Sequence, residues 1–309
     1  MQSFQIALIN VLITLFYLVP GFIVRKMGKV SPQHLPTLSA VLVYIGNPFL
    51  CVSAFMSLDF SVAMTLNMLW FFLATLVLQS LFMLLLYAIL RRREGEARFR
   101  VLTIGSVVGN VGFFGIPILR ALYPENPELA CFSTVFTLSM NILIFTVGVF
   151  CLTGDKKYMS LKSAIFNPTV FSILIAFPVY LFGLGNYFPD ALSNAIHTVG
   201  SMTAPLCMFI LGIRLASAPL KRIFSRPIVY ATAALKLLVF PLFCYALVYF
   251  LPFSDIFKAG ILVLTGMPCA SVLLSMAEIH KSETEMAANC QLVSTLLCFL
   301  TIPVLTLLL

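Results

Sequence analysis

The sequence predicts an all-α polytopic membrane protein of ten transmembrane helices, and three observations carry that prediction. Of its 309 residues, 61% are hydrophobic and only 10% are charged, whereas a soluble domain has about a quarter of its residues charged. Apolar runs recur along the whole chain, each close to the roughly 20 residues that a helical span needs. The basic residues fall in alternate gaps between those runs. In lipid the backbone must satisfy its own hydrogen bonds, and no alternating pattern suggests a barrel, so the runs read as helices.

Taken in order, the runs are 5–24, 35–56, 66–90, 100–119, 129–152, 165–185, 192–215, 227–250, 257–277 and 285–308. The first is followed, not preceded, by its charges Arg25, Lys26 and Lys29. It therefore reads as a retained helix whose N-terminus crosses outward, not as a cleaved signal peptide. Every second gap is basic: Arg91, Arg92, Arg93, Arg98 and Arg100; Lys156, Lys157 and Lys162; Arg214, Lys221, Arg222 and Arg226; and Lys281. Sixteen of the 19 basic residues lie on that side, and the opposite gaps hold only Arg120 and Lys258. Such a split is the positive-inside pattern, and an extra or missing span would scramble it. The expected location is the cell inner membrane, with both termini extracytoplasmic. The same reading explains the net charge of +8 without a nucleic-acid partner.

Five spans per half, with both termini on one side, make the halves inverted relative to each other, an arrangement common in transporters. The expected division is 1–153 for the first five-helix repeat, 154–164 for a short cytoplasmic linker, and 165–309 for the second repeat. Landmarks match in order: Pro48 with Pro205, Gln79 with Lys236, Gly109 with Pro268, and Ser133-Thr134 with Ser294-Thr295.

Segments 4 and 9 are the informative pair. The first reads GSVVGNVGFFGIP, with Gly105, Gly109, Gly112 and Gly115 around Asn110; the second reads LTGMPCASVLLS, with Gly266, Pro268 and Cys269. Glycine weakens a helix by about 1 kcal/mol and proline by about 3, so both stretches are expected to break near mid-membrane. A break exposes half-helix ends, positive at N–H groups and negative at carbonyls. Interrupted spans at corresponding places in two halves point to a carrier's binding site.

Lys236 is the one ionisable side chain well inside an apolar run, apart from His197 near a helix end. All eleven acidic residues fall in gaps or at helix ends, so no carboxylate at mid-depth can pair with it. An unpaired ammonium there costs at least about 2.5–3.5 kcal/mol and should face a polar cavity or a partner. The expected partner is an anion from outside. The alternative is that Lys236 hydrogen-bonds backbone carbonyls exposed by a broken helix, or is neutral.

No catalytic set is visible: GxxGxxG in segment 4 is not a dinucleotide fingerprint, and no P-loop or HExxH occurs. The eight cysteines are scattered, without a CxxC pair, and read as buried reduced thiols. Neither a metal nor a cofactor is expected, and transport without a nucleotide motif should be driven by a gradient.

The stretches GNVGFFGIPILRALYPE (109–125), FNPTVFSILIAF (166–177), APLCMFILGIRLA (204–216), LKLLVFPL (235–242) and GMPCASVLLSMAE (266–278) occur in this order, followed by VSTLLCFLTIPVLTLL (293–308). Together they resemble the auxin efflux carrier family, the bacterial permeases related to plant PIN-type carriers. The resemblance implies a fold shared with bile acid:sodium symporter-like carriers. Spans 1, 2, 6 and 7 would form a scaffold, and spans 3–5 and 8–10 a mobile core in which helices 4 and 9 cross. Plant members have a proline at the helix-4 crossing where this chain has Gly109-Asn110, and an acidic residue in span 3 where it has Gln79. Bacterial relatives are associated with malate, malonate and auxin-like compounds.

The expected function is secondary transport of a small organic anion by elevator-type alternating access, with an anion-selective channel or a membrane-embedded ligand sensor as the alternatives. Candidate binding residues are Gly109, Asn110, Gly112, Pro268 and Cys269 at the breaks, Lys236 as charge attractor, and Gln79, Asn141, Asn289, Gln291 and Ser294 on neighbouring spans. Expected partners are the anion, a coupling ion (proton or sodium), the bilayer, and a second copy through the scaffold helices.

Overall fold

A computed structural model describes residues 2–93, 95–153, 156–218, 223 and 226–309. Glu94, Lys221 and Arg222 of the basic-side gaps lie outside these residues, as do Gly154 and Asp155 of the linker. The described chain is helical throughout. Seven helices are long and apolar enough to cross a membrane: α1 (Gln2–Lys26), α2 (Pro32–Phe55), α3 (Val62–Arg93), α6 (Glu128–Thr153), α8 (Asp190–Ser217), α9 (Pro227–Tyr249) and α12 (Thr284–Leu308). Segment 4 is two halves, α4 (Ala97–Gly105) and α5 (Val111–Leu122). Segment 9 is likewise split, into α10 (Asp255–Thr265) and α11 (Ser271–Ile279).

Segment 6 is shorter than its apolar run: α7 covers Pro168–Leu181, 14 residues. Local chemistry sets both ends. The Asn167 side chain accepts from the N–H groups of Thr169 and Val170, with Pro168 in the first turn, an arrangement suited to starting a helix. Gly183 then takes a left-handed conformation (φ 59°) just past the end, as glycine does without steric cost.

Three helices carry a widened turn immediately before a proline: Leu42–Gly46 before Pro48, Val111–Gly115 before Pro117, and Leu235–Val239 before Pro241. Proline has no N–H to return to the preceding turn, so the backbone there relaxes into the wider π register. The last of these turns contains Lys236.

Two bodies of packed helices can be traced, joined where α1 lies on α12 and α5 and where α2 lies on α6. In one, α8 packs on α1 and α2, and α2 packs on α7. Gly21 of α1 faces the backbone of Phe209, and Gly212 of α8 faces the backbone of Leu18 and Phe22, so a Cβ at either would overlap main chain. Small residues that let backbones touch are the usual way helices associate in lipid, where the hydrophobic drive is weak. Asn47 donates to Ser172 at 3.0 Å, tying α2 to α7, and the Tyr180 hydroxyl donates at 2.9 Å to the carbonyl of Ser61, the N-cap of α3, tying α7 to the other body. The other body comprises α3–α6 and α9–α12. Its aromatic centre stacks Phe71 on Phe132 (4.4 Å between centroids), with Phe257 edge-on to both. Outward, α3 leaves Leu66, Leu69, Trp70, Val77, Leu81 and Leu84 exposed, a stripe suited to acyl chains and unsuited to water.

Candidate functional site

The two broken helices meet at their gaps. Gly109 and Cys269 sit opposite each other in an isolated antiparallel bridge. The Asn110 N–H donates to the Pro268 carbonyl at 2.7 Å, and the Ala270 N–H donates to the Val108 carbonyl at 3.3 Å. Unwound backbone in lipid must find partners inside the protein, and here each gap satisfies the other. The approach is close at Gly109: a Cβ there would lie 3.1 Å from the Lys236 Nζ and 3.4 Å from the Met267 carbonyl oxygen.

The half-helix ends are finished by side chains behind the bridge. Lys236 is fully buried and donates to the Thr265 carbonyl at 2.5 Å, the last residue of α10, with its ammonium 4.9 Å from the Phe240 ring centroid. The ammonium thus caps the carbonyl end of a half-helix, where positive charge is favoured. The Cys269 thiol donates to the Gly105 carbonyl at the end of α4, at 3.2 Å. The Cys269 N–H donates to the Ser294 hydroxyl at 3.0 Å, and the Gly109 N–H to the Met140 sulfur at 3.3 Å.

The opposite ends of the breaks remain open. Neither α5 nor α11 has a side-chain cap at its N-terminus. Their first residues, Val111–Phe113 and Ser271–Val272, line a cavity of about 240 Å³ between the two bodies. Uncapped N–H groups at helix starts carry partial positive charge and bind anions readily. Asn141 of α6 is 5% exposed and lies on the cavity wall, with its Nδ2 donor unpartnered. Arg214 of α8 is on the wall as well, and its Nε is buried without an acceptor. No Asp or Glu is among the lining residues. From the crossing, the wall extends through Ser39 of α2, Phe145 of α6, Thr169 of α7, Arg214 of α8 and Ser275 of α11, each on the half of its helix that adjoins a basic gap.

Of the residues singled out from the sequence, Gly109, Asn110, Gly112 and Asn141 line this cavity. Pro268, Cys269 and Ser294 build the crossing from behind. Gln291 reaches the wall through Ser271, to whose hydroxyl it donates at 2.6 Å. Lys236 lies behind the crossing, off the wall, and holds a backbone carbonyl. Gln79 is packed with Thr75 and Ser139 between α3 and α6, donating to the Ser139 hydroxyl at 2.9 Å, away from the cavity. Asn289 is buried in α12.

Arg214, Asn47, Asn167, Cys207 and Ser271 are on the wall as well, without standing out in the sequence. At the end of its apolar run, Arg214 reads as a gap charge. The signal against that reading is ILGIRLA, in which apolar residues continue past the arginine. Asn47 and Asn167 each precede a proline; Asn167 caps the start of α7, whereas Asn47 follows the widened turn inside α2. The Asn110 side chain, expected to face a ligand, donates weakly to the Cys207 sulfur at 3.6 Å.

Residues 6–306 match the model of a family described as membrane transport protein. The chain belongs to this auxin efflux carrier-like transport family. It is similar to an uncharacterized transporter of Methanocaldococcus jannaschii, 25% identical over 297 residues, covering 94% of this chain and 95% of the relative. A second similar protein is an uncharacterized transporter of Methanothermobacter thermautotrophicus, 23% identical over 303 residues and 95% of each chain. The family member is thus a multi-pass membrane protein of transporter type.

Proposed function

We propose that this family member is a secondary carrier of a small organic anion, with the substrate carboxylate held at the crossing. One observation carries the reading. Two uncapped half-helix N-termini and two unpartnered donors, Asn141 and Arg214, converge on one cavity that no carboxylate lines. A pocket with open donors and no carboxylate on its wall suits an anion, which satisfies those donors at once. Lys236 serves the site at one remove: it adds positive charge under Gly109 while clamping α10, which fixes where the crossing stands.

The transport cycle in this reading is alternating access of the elevator type. The α3–α6 and α9–α12 body carries the crossing, and the α1–α2–α7–α8 body stays in place as scaffold and as the surface for a second copy. The ten helical segments cross the inner membrane as two inverted five-helix repeats, with both termini extracytoplasmic. Support comes from the alternate placement of basic residues and from the packing of α8 on α1 and α2 and of α2 on α7. A proton or sodium gradient drives the anion.

Counterflow in proteoliposomes tests the proposal, using labelled acetate, malonate, succinate and indole-3-acetate as probes. Saturable exchange of at least one carboxylate is the expected result. Conductive flux without counterflow would replace the carrier with a channel, and binding without flux would make the protein a sensor.

A further inference from the structure

The cavity's donors belong to two different bodies, and this divides them by what they can follow. The N–H groups of Val111, Gly112, Ser271 and Val272, with Asn141, sit on the body that carries the crossing. Arg214 sits on α8 in the other body. Its backbone is held there by the reciprocal contacts of Gly212 with Leu18 and Phe22 and of Gly21 with Phe209. One turn of α1 further out, Arg25 is already engaged, donating to the Ser217 hydroxyl at 2.7 Å. Arg214 makes no ion pair among the described residues; the field of Glu278 on α11 reaches it without a salt bridge.

We propose that Arg214 is a one-sided anchor that grips the substrate anion only while the cavity faces the basic side of the membrane. The inference rests on the carrier reading above and names what distinguishes its two faces. A guanidinium with a buried, unpartnered Nε is costly in a membrane protein unless something fills the vacancy. An anion seated at the crossing does so in this conformation, since both line the same cavity. When the crossing body shifts against α8, the half-helix N–H groups and Asn141 travel with the anion and Arg214 stays behind. The substrate therefore has more donors in one state than in the other, and a ligand populates the state that binds it better. Affinity should be high on the basic side and lower on the opposite side, which makes release easier there.

The test separates this inference from the carrier reading. A reporter cysteine, Val43→Cys, is placed on the cavity wall and titrated in inside-out and right-side-out vesicles. Two methanethiosulfonate reagents are compared, one bearing an ethylsulfonate and one a trimethylammonium group, with the native cysteines as baseline. From the basic side, the anionic reagent should be favoured about tenfold through field focusing in the cavity. Arg214→Gln should erase that preference and Arg214→Lys should keep it. In proteoliposomes loaded with the best-transported probe of the carboxylate panel, Arg214→Gln should raise the KM measured from the basic face about tenfold. The KM from the opposite face should not move.

An unchanged reagent preference in Arg214→Gln would overturn the inference. Equal rises in KM on both faces would overturn it as well, leaving Arg214 an ordinary binding residue. Failure of every carboxylate to exchange would sink the carrier reading and with it the anchor's role in transport, and it is told apart from failure of the inference because the reagent preference reports on Arg214 without any substrate.

Discussion

The two interrupted helices are near-equals in backbone and unequal in chemistry. Both stop after a half-span, both leave the helix for five residues, and each lends the other one backbone hydrogen bond. The first break is then finished with sulfur: the Cys269 thiol on the Gly105 carbonyl and the Met140 thioether on the Gly109 N–H. The second is finished with an ammonium and a hydroxyl, Lys236 on the Thr265 carbonyl and Ser294 on the Cys269 N–H. Sulfur makes weak hydrogen bonds and adapts its position; charged and hydroxyl groups make stronger, more directional ones. The second break is therefore the fixed partner of the crossing, and the first is the one with latitude to adjust around a ligand.

The largest consequence falls on Lys236. Lys236→Ala removes the clamp on α10 and the charge beneath Gly109, and misplacing the crossing by about 1 Å should cost about two orders of magnitude in transport. Counterflow of the best carboxylate measures it, with monodispersity in detergent showing that insertion and folding survive. Uptake at the wild-type rate would remove Lys236 from the mechanism. Next comes the binding wall itself. Asn141→Leu should raise KM about tenfold by deleting one donor to the anion, with little change in melting temperature, since Nδ2 has no protein partner to lose.

Smaller effects sharpen the contrast between the breaks in stability measurements. Ser294→Ala leaves the buried Cys269 N–H without an acceptor and should destabilise by about 1–3 kcal/mol. Met140→Leu removes only a weak sulfur acceptor at nearly constant volume and should cost under about 1.5 kcal/mol. Thermal unfolding in detergent ranks the two, and the reverse order would reject the assignment of fixed and adjustable breaks.

Much of this arrangement was legible from residue types. The breaks were readable because glycine and proline act locally: Gly109 and Pro268 disfavour helix wherever they stand. The helical segments were readable because lipid demands apolar runs of set length. The ends of segment 6 are not legible in its apolar run, because hydropathy does not report the Asn167 cap or the left-handed turn at Gly183. Lys236 shows the deeper limit. The absence of a membrane carboxylate left two partners, an outside anion or a backbone carbonyl, and nothing in a sequence says where a neighbouring helix will expose its last carbonyl. The Thr265 carbonyl takes the ammonium only because α10 ends beside it. Arg214 was hidden for the converse reason: its depth depends on how α8 packs on α1, through glycines more than 190 residues apart.

The account stands on the claim that the cavity at the crossing receives a small organic anion. A thermal-shift screen of the purified protein is the most direct test, with acetate, malonate, succinate and indole-3-acetate set against neutral glucose and cationic choline. At least one carboxylate should raise the melting temperature of the wild type and fail to raise that of Asn141→Leu. Stabilisation by choline or glucose with none by any carboxylate would contradict it.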